Sequence, residues 1–249
     1  MNNFLFLINA AWMTITLSII SLLLGLILGI LFAAWEYFPC RVVAFFGSCW
    51  VNLIRGLPEL LVILFVYYGT LKIVILLDDG IEINLFFWKK IFQINSEYLF
   101  VKKYELDLIP FFCGVLSLSL LYGAYTSQIL KCAIKIIPFS QWEAGLVLGL
   151  TRNMIFLRLI IPQIWRHTLP GLANQWLVLL KDTSLLSLIS VNDLMLQTKN
   201  IINRTQDPFT WYLIVALIYL VISVISKNIL RWIELSKNNF SGKTKKCSN

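Results

Sequence analysis

The sequence predicts an all-α membrane protein with five transmembrane helices, the N-terminus outside and the C-terminus inside. Three observations carry that prediction. Of the 249 residues, 59 % are hydrophobic and only 14 % are charged, where a soluble domain carries roughly 25 % charged residues. The mean hydropathy is +0.78. Finally, the apolar residues gather into runs near the roughly 20 residues that a helix needs to cross a bilayer, with Lys and Arg unevenly shared between the connections. The net charge of +8 is spread through loops and a tail without a basic, aromatic face. It therefore points to membrane orientation and not to nucleic acid. The whole chain, 1–249, reads as one transmembrane domain.

The first run, 14–35, contains no charge. The second, 56–77, carries Glu59 and Lys72, and its Pro58 must stand in a first turn or make a kink. The third spans 111–130; the fourth, 169–190, has Lys181 and Asp182 inside it; the fifth is 211–230. Trp12, Trp35, Trp211 and Trp232 lie near the expected helix ends, where amphipathic rings prefer the headgroup level. With the N-terminus outside, the cytoplasmic stretches 36–56, 131–168 and 226–249 hold 13 basic residues against 7 in the outer ones. That asymmetry sets the orientation. Met1 to Ala11 lacks the basic start of a secretory signal, so the first span is expected to be kept.

Gly25 and Gly29 form a small-xxx-small pair suited to close helix packing. Asp78-Asp79-Gly80 marks a turn into the largest outer connection, 78–107, whose Phe86, Phe87 and Trp88 are expected at the interface. The basic tail, 237–249, is expected to be disordered. The five cysteines are scattered without metal-ligand spacing, so neither a disulfide framework nor a metal site is expected.

Between the third and fourth runs lies a polar, Gly-punctuated loop, 138–162. Ser140 reads as an N-cap with Glu143 three residues on, the spacing of a capping box. Gly149 allows a turn, and Thr151 to Leu159 reads as a second short helix ended by Pro162. Ala144, Gly145 and Gly149 remove bulk and let another surface approach the backbone. A docking loop and a partnerless interfacial hairpin both fit these residues.

A series of motifs in order separates those two readings: Arg55-Gly56-Leu57-Pro58, then Ala124-Tyr125, then Ile137-Pro138-Phe139-Ser140-Gln141-Trp142-Glu143-Ala144-Gly145, then Leu169-Pro170-Gly171, Asn174-Gln175-Trp176 and Lys181-Asp182-Thr183-Ser184-Leu185. Over nearly its whole length the chain resembles the permeases of polar amino-acid ABC importers, the histidine, glutamine and arginine permease family. The resemblance implies the type I importer permease fold in a bacterial inner membrane. It implies that 138–162 is the EAA coupling loop, with Gln141, Glu143, Ala144, Gly145, Gly149 and Pro162 meeting an ATPase. The implied partners are a dimer of ABC ATPase subunits, a related second permease subunit and a periplasmic amino-acid-binding protein. The resemblance also implies that ATP and Mg belong to the ATPase, leaving this chain without catalytic residues or a cofactor of its own. The stretches 55–59, 176–184, 189–199 and 205–211 are most similar to arginine-importing members, with histidine, lysine and glutamine as alternative cargoes. Gln128, Ser140 and Gly145 depart from the family's pattern. The first replaces an acidic residue, so no cargo role transfers to it.

For the cargo route the charged residues at membrane depth are the candidates, because such groups are costly there and face a cavity or a partner. Asp182 offers a carboxylate to an ammonium or guanidinium, beside Lys181 and the hydroxyls of Thr183 and Ser184. The same group also fits a structural set bonded to neighbouring helices. Glu59 fits either a bidentate contact with a guanidinium or an (i, i+4) pair with Arg55. Gly242-Lys243-Thr244 is not a phosphate loop, since Lys237 stands where the first Gly is required. The lone His167 and the absence of a His-Glu-x-x-His motif argue against an intramembrane hydrolase, and a passive channel has no use for a docking loop.

Overall fold

The computed structural model describes residues 2–37, 39–78, 105–189 and 191–242. The expected turn at Gly80 and the Phe86, Phe87, Trp88 cluster lie outside these residues, as does the end of the tail, 243–249.

An unbroken apolar sequence makes α1 (Asn2–Glu36). It starts well before residue 14 because its early turns have a surface to bury against: Leu7 and Ala10 pack with Leu194, Ile201 and Val215. Thr14 and Ser18 are also buried, and their hydroxyls donate back to the carbonyls of Ala10 and Thr14 at 3.0 and 2.7 Å. Paired in this way, they enter the interior without leaving a donor unsatisfied.

α1 lies along α4 (Glu105–Ile136), whose Val115, Leu118, Leu121, Tyr122 and Ala124 form the centre of the core. The glycine pair sets this contact. A Cβ on Gly29 would meet the Thr126 Cβ at 2.6 Å, and one on Gly123 would meet the Leu28 Cβ at 2.9 Å. Each helix therefore notches the other. Gly29→Val is expected to push the helices apart at a cost of about 1–3 kcal/mol, as overpacking does, read as a lower thermal midpoint of the purified permease. At the end of α1, Glu36 has 1 % side-chain exposure and is held from α4 by Lys131 at 3.3 Å. The Ser127 hydroxyl donates to the same carboxylate at 3.3 Å.

α2 (Arg41–Gly56) and α3 (Glu59–Asp78) meet at a bend of 111°. α2 is amphipathic and was not expected; it turns Val42, Phe45, Phe46 and Trp50 outward. Pro58 accounts for the break, since residue 57 before it is driven into extended backbone, with ψ 153° at Leu57. Its carbonyl then accepts from Leu61 and Val62 and opens α3.

After α4 come two short helices, α5 (Ser140–Val147) and α6 (Arg152–Ile155), then a π-helical turn, Phe156–Ile160, which runs into α7 (Ile161–Asp182). Two expectations are corrected here. Ser140 is the first helical residue and not a cap, because Phe139 before it is already helical and no side chain closes that end. Nor does Pro162 end a helix: it stands in the first turn of α7, and the π turn before it carries the chain into α7 without a break.

α7 ends in a 3-10 segment, Thr183–Ile189, followed by α8 (Leu194–Thr205) and α9 (Pro208–Gly242). α8, also unforeseen, is capped by Asp193, whose carboxylate accepts from Leu196 N at 2.8 Å. It ends at Gln206 in the left-handed region, with φ 57°. Since α9 runs to Gly242, the start of the expected tail continues a helix.

The described residues contain three single helices long and apolar enough to cross a membrane: Phe6–Glu36, Ile109–Ile136 and Pro208–Trp232. The bent pair Arg41–Gly56 with Glu59–Ile73 raises the number to four if it forms one crossing. The expected run 169–190 falls on α7 and the 3-10 segment. α7 is not among the four, and it carries Arg166, His167, Lys181 and Asp182.

Candidate functional site

Two places on the molecule gather the residues singled out above. The first is the hairpin of α5 and α6. It has its own small core, in which Ile155, Ile160 and Ile164 pack with Ala133 of α4. Gly145 belongs to that core, since a Cβ there would meet Ile155 Cγ1 at 2.6 Å. Its missing side chain makes room for Ile155 in the hairpin's own packing. Gly149, at φ +75°, makes the tight turn that lets Leu150 N donate to Gly145 O. Trp142 stacks on Phe156 with centroids 6.3 Å apart, and Gln163 Nε2 donates to Gln141 Oε1 at 3.4 Å. Glu143, Ala144 and Pro162 are exposed.

The hairpin presents an apolar tip that the motifs did not indicate. Val147 and Leu148 are 87 % and 75 % exposed, with Phe139 and Leu146 beside them. Apolar side chains held out in this way mark a surface for a protein or a membrane to cover. The signal was present in the sequence as Leu146-Val147-Leu148, but an apolar triplet in a membrane protein is ordinarily read as core.

The second place is inside. Tyr122 and Tyr125, one turn apart on α4, aim their hydroxyls at two carboxylates. Tyr122 donates to Asp182, the last residue of α7. Tyr125 donates to Glu59, the first residue of α3, at 2.9 Å. The rings stand 6.1 Å apart, and Asp182 and Glu59 are close enough to interact directly. The Arg55 guanidinium lies 5.5 Å from the centre of the Tyr125 ring. The expected (i, i+4) pairing of Arg55 with Glu59 is not formed, because the 111° bend puts the two on different helices. Two helix breaks thus flank the carboxylates, the bend before Glu59 and the passage to 3-10 geometry after Asp182.

Of the other candidates, Lys181 is exposed. Ser184 donates to Lys181 O at 2.7 Å, and Thr183 donates to Leu180 O at 2.8 Å. Thr183 is fully buried, on the side of α9 near Tyr219. Both hydroxyl protons are therefore committed to the backbone. Tyr125 had appeared only as a motif letter, Arg55 as a motif letter and a candidate partner of Glu59, and Tyr122 not at all; their convergence needs the fold. Chemically, paired carboxylates with tyrosine donors, and with no cation between them among the described residues, attract an ammonium or a guanidinium.

Helices broken beside half-buried carboxylates, together with an exposed apolar-tipped hairpin, suit a solute-moving membrane component. Residues 25–238 match the family of binding-protein-dependent transport system inner membrane components, and the chain belongs to it. It is a permease subunit, and in such systems ATP hydrolysis resides in a separate subunit. The chain is 53 % identical to the arginine ABC transporter permease protein ArtQ of Escherichia coli (strain K12), over 96 % of this chain and 98 % of that one. It is 45 % identical to ArtQ of Haemophilus influenzae (strain ATCC 51907 / DSM 11121 / KW20 / Rd), over 93 % of each. A crystal structure of an amino acid ABC transporter with histidines superposes with a TM-score of 0.74 at 25 % identity, covering 93 % of this chain and 94 % of the other.

Proposed function

We propose that this permease imports arginine across a bacterial inner membrane by alternating access, with its N-terminus outside and five crossings, α7 with its 3-10 segment being the fourth. The observation that carries the cargo reading is the carboxylate pair Glu59 and Asp182, each fixed by a tyrosine of α4. A guanidinium is planar and offers paired donors, which suits two acceptor groups side by side. Helix ends broken at membrane depth are where transporters hold ions and charged solutes. The relatives named for arginine support the same cargo. Thr183 and Ser184 shape the neighbouring backbone, and Lys181 borders the route.

The hairpin tip, with Glu143 and Ala144 at its side and Gly145, Gly149, Gln141 and Pro162 fixing its shape, fits into an ATPase subunit. Two ATPases bind and hydrolyse ATP with Mg, and a binding protein delivers the amino acid from the periplasm. A second, related permease completes the route. Closure of the ATPases moves both hairpins and switches the side on which the carboxylates open. The test is uptake of radiolabelled arginine into vesicles holding the chain and its co-purified partners, with ATP inside and binding protein outside. Uptake is expected to require ATP and to be competed by lysine or ornithine more than by glutamine. Uptake indifferent to ATP would overturn the mechanism, and glutamine as the stronger competitor would overturn the cargo.

A further inference from the structure

A groove runs between α7 and α9 with Leu22 of α1 at its base. Its inner part encloses about 310 Å³ and is apolar, with Leu172, Trp176 and Ile229 among its walls. It shares Ala173 and Leu230 with an adjoining hollow of about 320 Å³, where Asn174, Lys227 and Arg231 join the lining. The two hollows are one feature, an apolar shaft with a basic mouth. Lys227 and Arg231, four residues apart, share one face of α9 and are the charged residues among the described lining of the groove.

The mouth lies at headgroup depth. The uncharged run at the start of α9, 208–226, gives way to Lys227 and Arg231, and the Trp232 ring beside them is exposed as interfacial tryptophans are. Only 6 % of the apolar window of α9 is buried within the chain, so the groove is open along its α9 wall. An occupant must therefore be apolar along most of its length and anionic at one end, with its charge at the level of the two cations. A free anion leaves the shaft unfilled. Basic hollows between membrane helices at the interface are sites for acidic lipid headgroups.

We propose that this groove binds an anionic phospholipid, one acyl chain lying against Leu22, Leu172 and Trp176 and the phosphate resting on Lys227 and Arg231. The site requires only that α9 crosses the membrane, and it stands or falls independently of the cargo. The intact permease–ATPase complex, purified in detergent, is mixed with equal amounts of dioleoyl phosphatidylglycerol and dioleoyl phosphatidylcholine, and retained lipid is counted by native mass spectrometry. The wild type is expected to retain the anionic lipid in preference by roughly fivefold per cation. The double variant Lys227→Gln, Arg231→Gln should bring the two lipids level, while Arg41→Gln, an exposed cation on α2 away from the groove, should leave the preference intact. Ala173→Phe, which fills the shaft, should reduce retention of both lipids. Equal retention by the wild type, or an undiminished preference in the double variant, would overturn the site. So would efficient disulfide formation between two permease chains carrying Leu230→Cys, which would make the groove an interface between copies.

Discussion

Asp182→Asn is expected to lower ATP-driven arginine uptake by about 10²-fold while the permease stays assembled with its ATPases. Removing one member of a desolvated charged pair costs about 3 kcal/mol, and that corresponds to roughly two powers of ten. The substitution keeps shape and volume, and it leaves an oxygen to accept from Tyr122, so the lost quantity is the charge that meets the cation. Glu59→Gln should act in the same direction, because the two carboxylates sit side by side. Tyr122→Phe is the informative companion. It leaves the Asp182 charge in place but frees it to swing, so the concentration for half-maximal uptake should rise more than the maximal rate falls. Uptake by Asp182→Asn at the wild-type rate, with the complex intact, would remove the carboxylate from the arginine route.

Val147→Asp is expected to release the ATPase subunits from the purified permease without unfolding it. At 87 % exposure, Val147 touches little of its own chain, and surface substitutions of that kind change stability by about 0.5 kcal/mol or less. In a docked hairpin the same position is desolvated, and an unpaired carboxylate there costs several kcal/mol. The measurement is co-purification of the ATPase with the tagged permease, alongside the permease's thermal midpoint. Loss of the ATPase at an unchanged midpoint supports the docking role. Retention of the ATPase with normal uptake would place the contact elsewhere on the hairpin. Gly145→Val makes the contrast, because its clash with Ile155 should lower the midpoint as well as the association.

The sequence by itself determined the class of solvent and the helical character, because charge scarcity and apolar run length act through the backbone's need for internal hydrogen bonds in lipid. It also located the hairpin, since Gly149 and the surrounding prolines act locally. α2 and α8 escaped notice because short amphipathic helices interleave charges with apolar residues and resemble loops. The packing of Gly145 escaped notice for a related reason: a glycine's missing side chain has no address until the fold shows what stands opposite, here Ile155. The same holds for the inner site. Glu59 and Asp182 could be singled out one at a time, as charges out of place in apolar runs. Their pairing, the tyrosine that holds each, and the divorce of Arg55 from Glu59 depend on a 111° bend and on contacts between residues 60 and 66 positions apart. Periodicity and composition report on neighbours along the chain, whereas an inner site is made by side chains that only packing brings together.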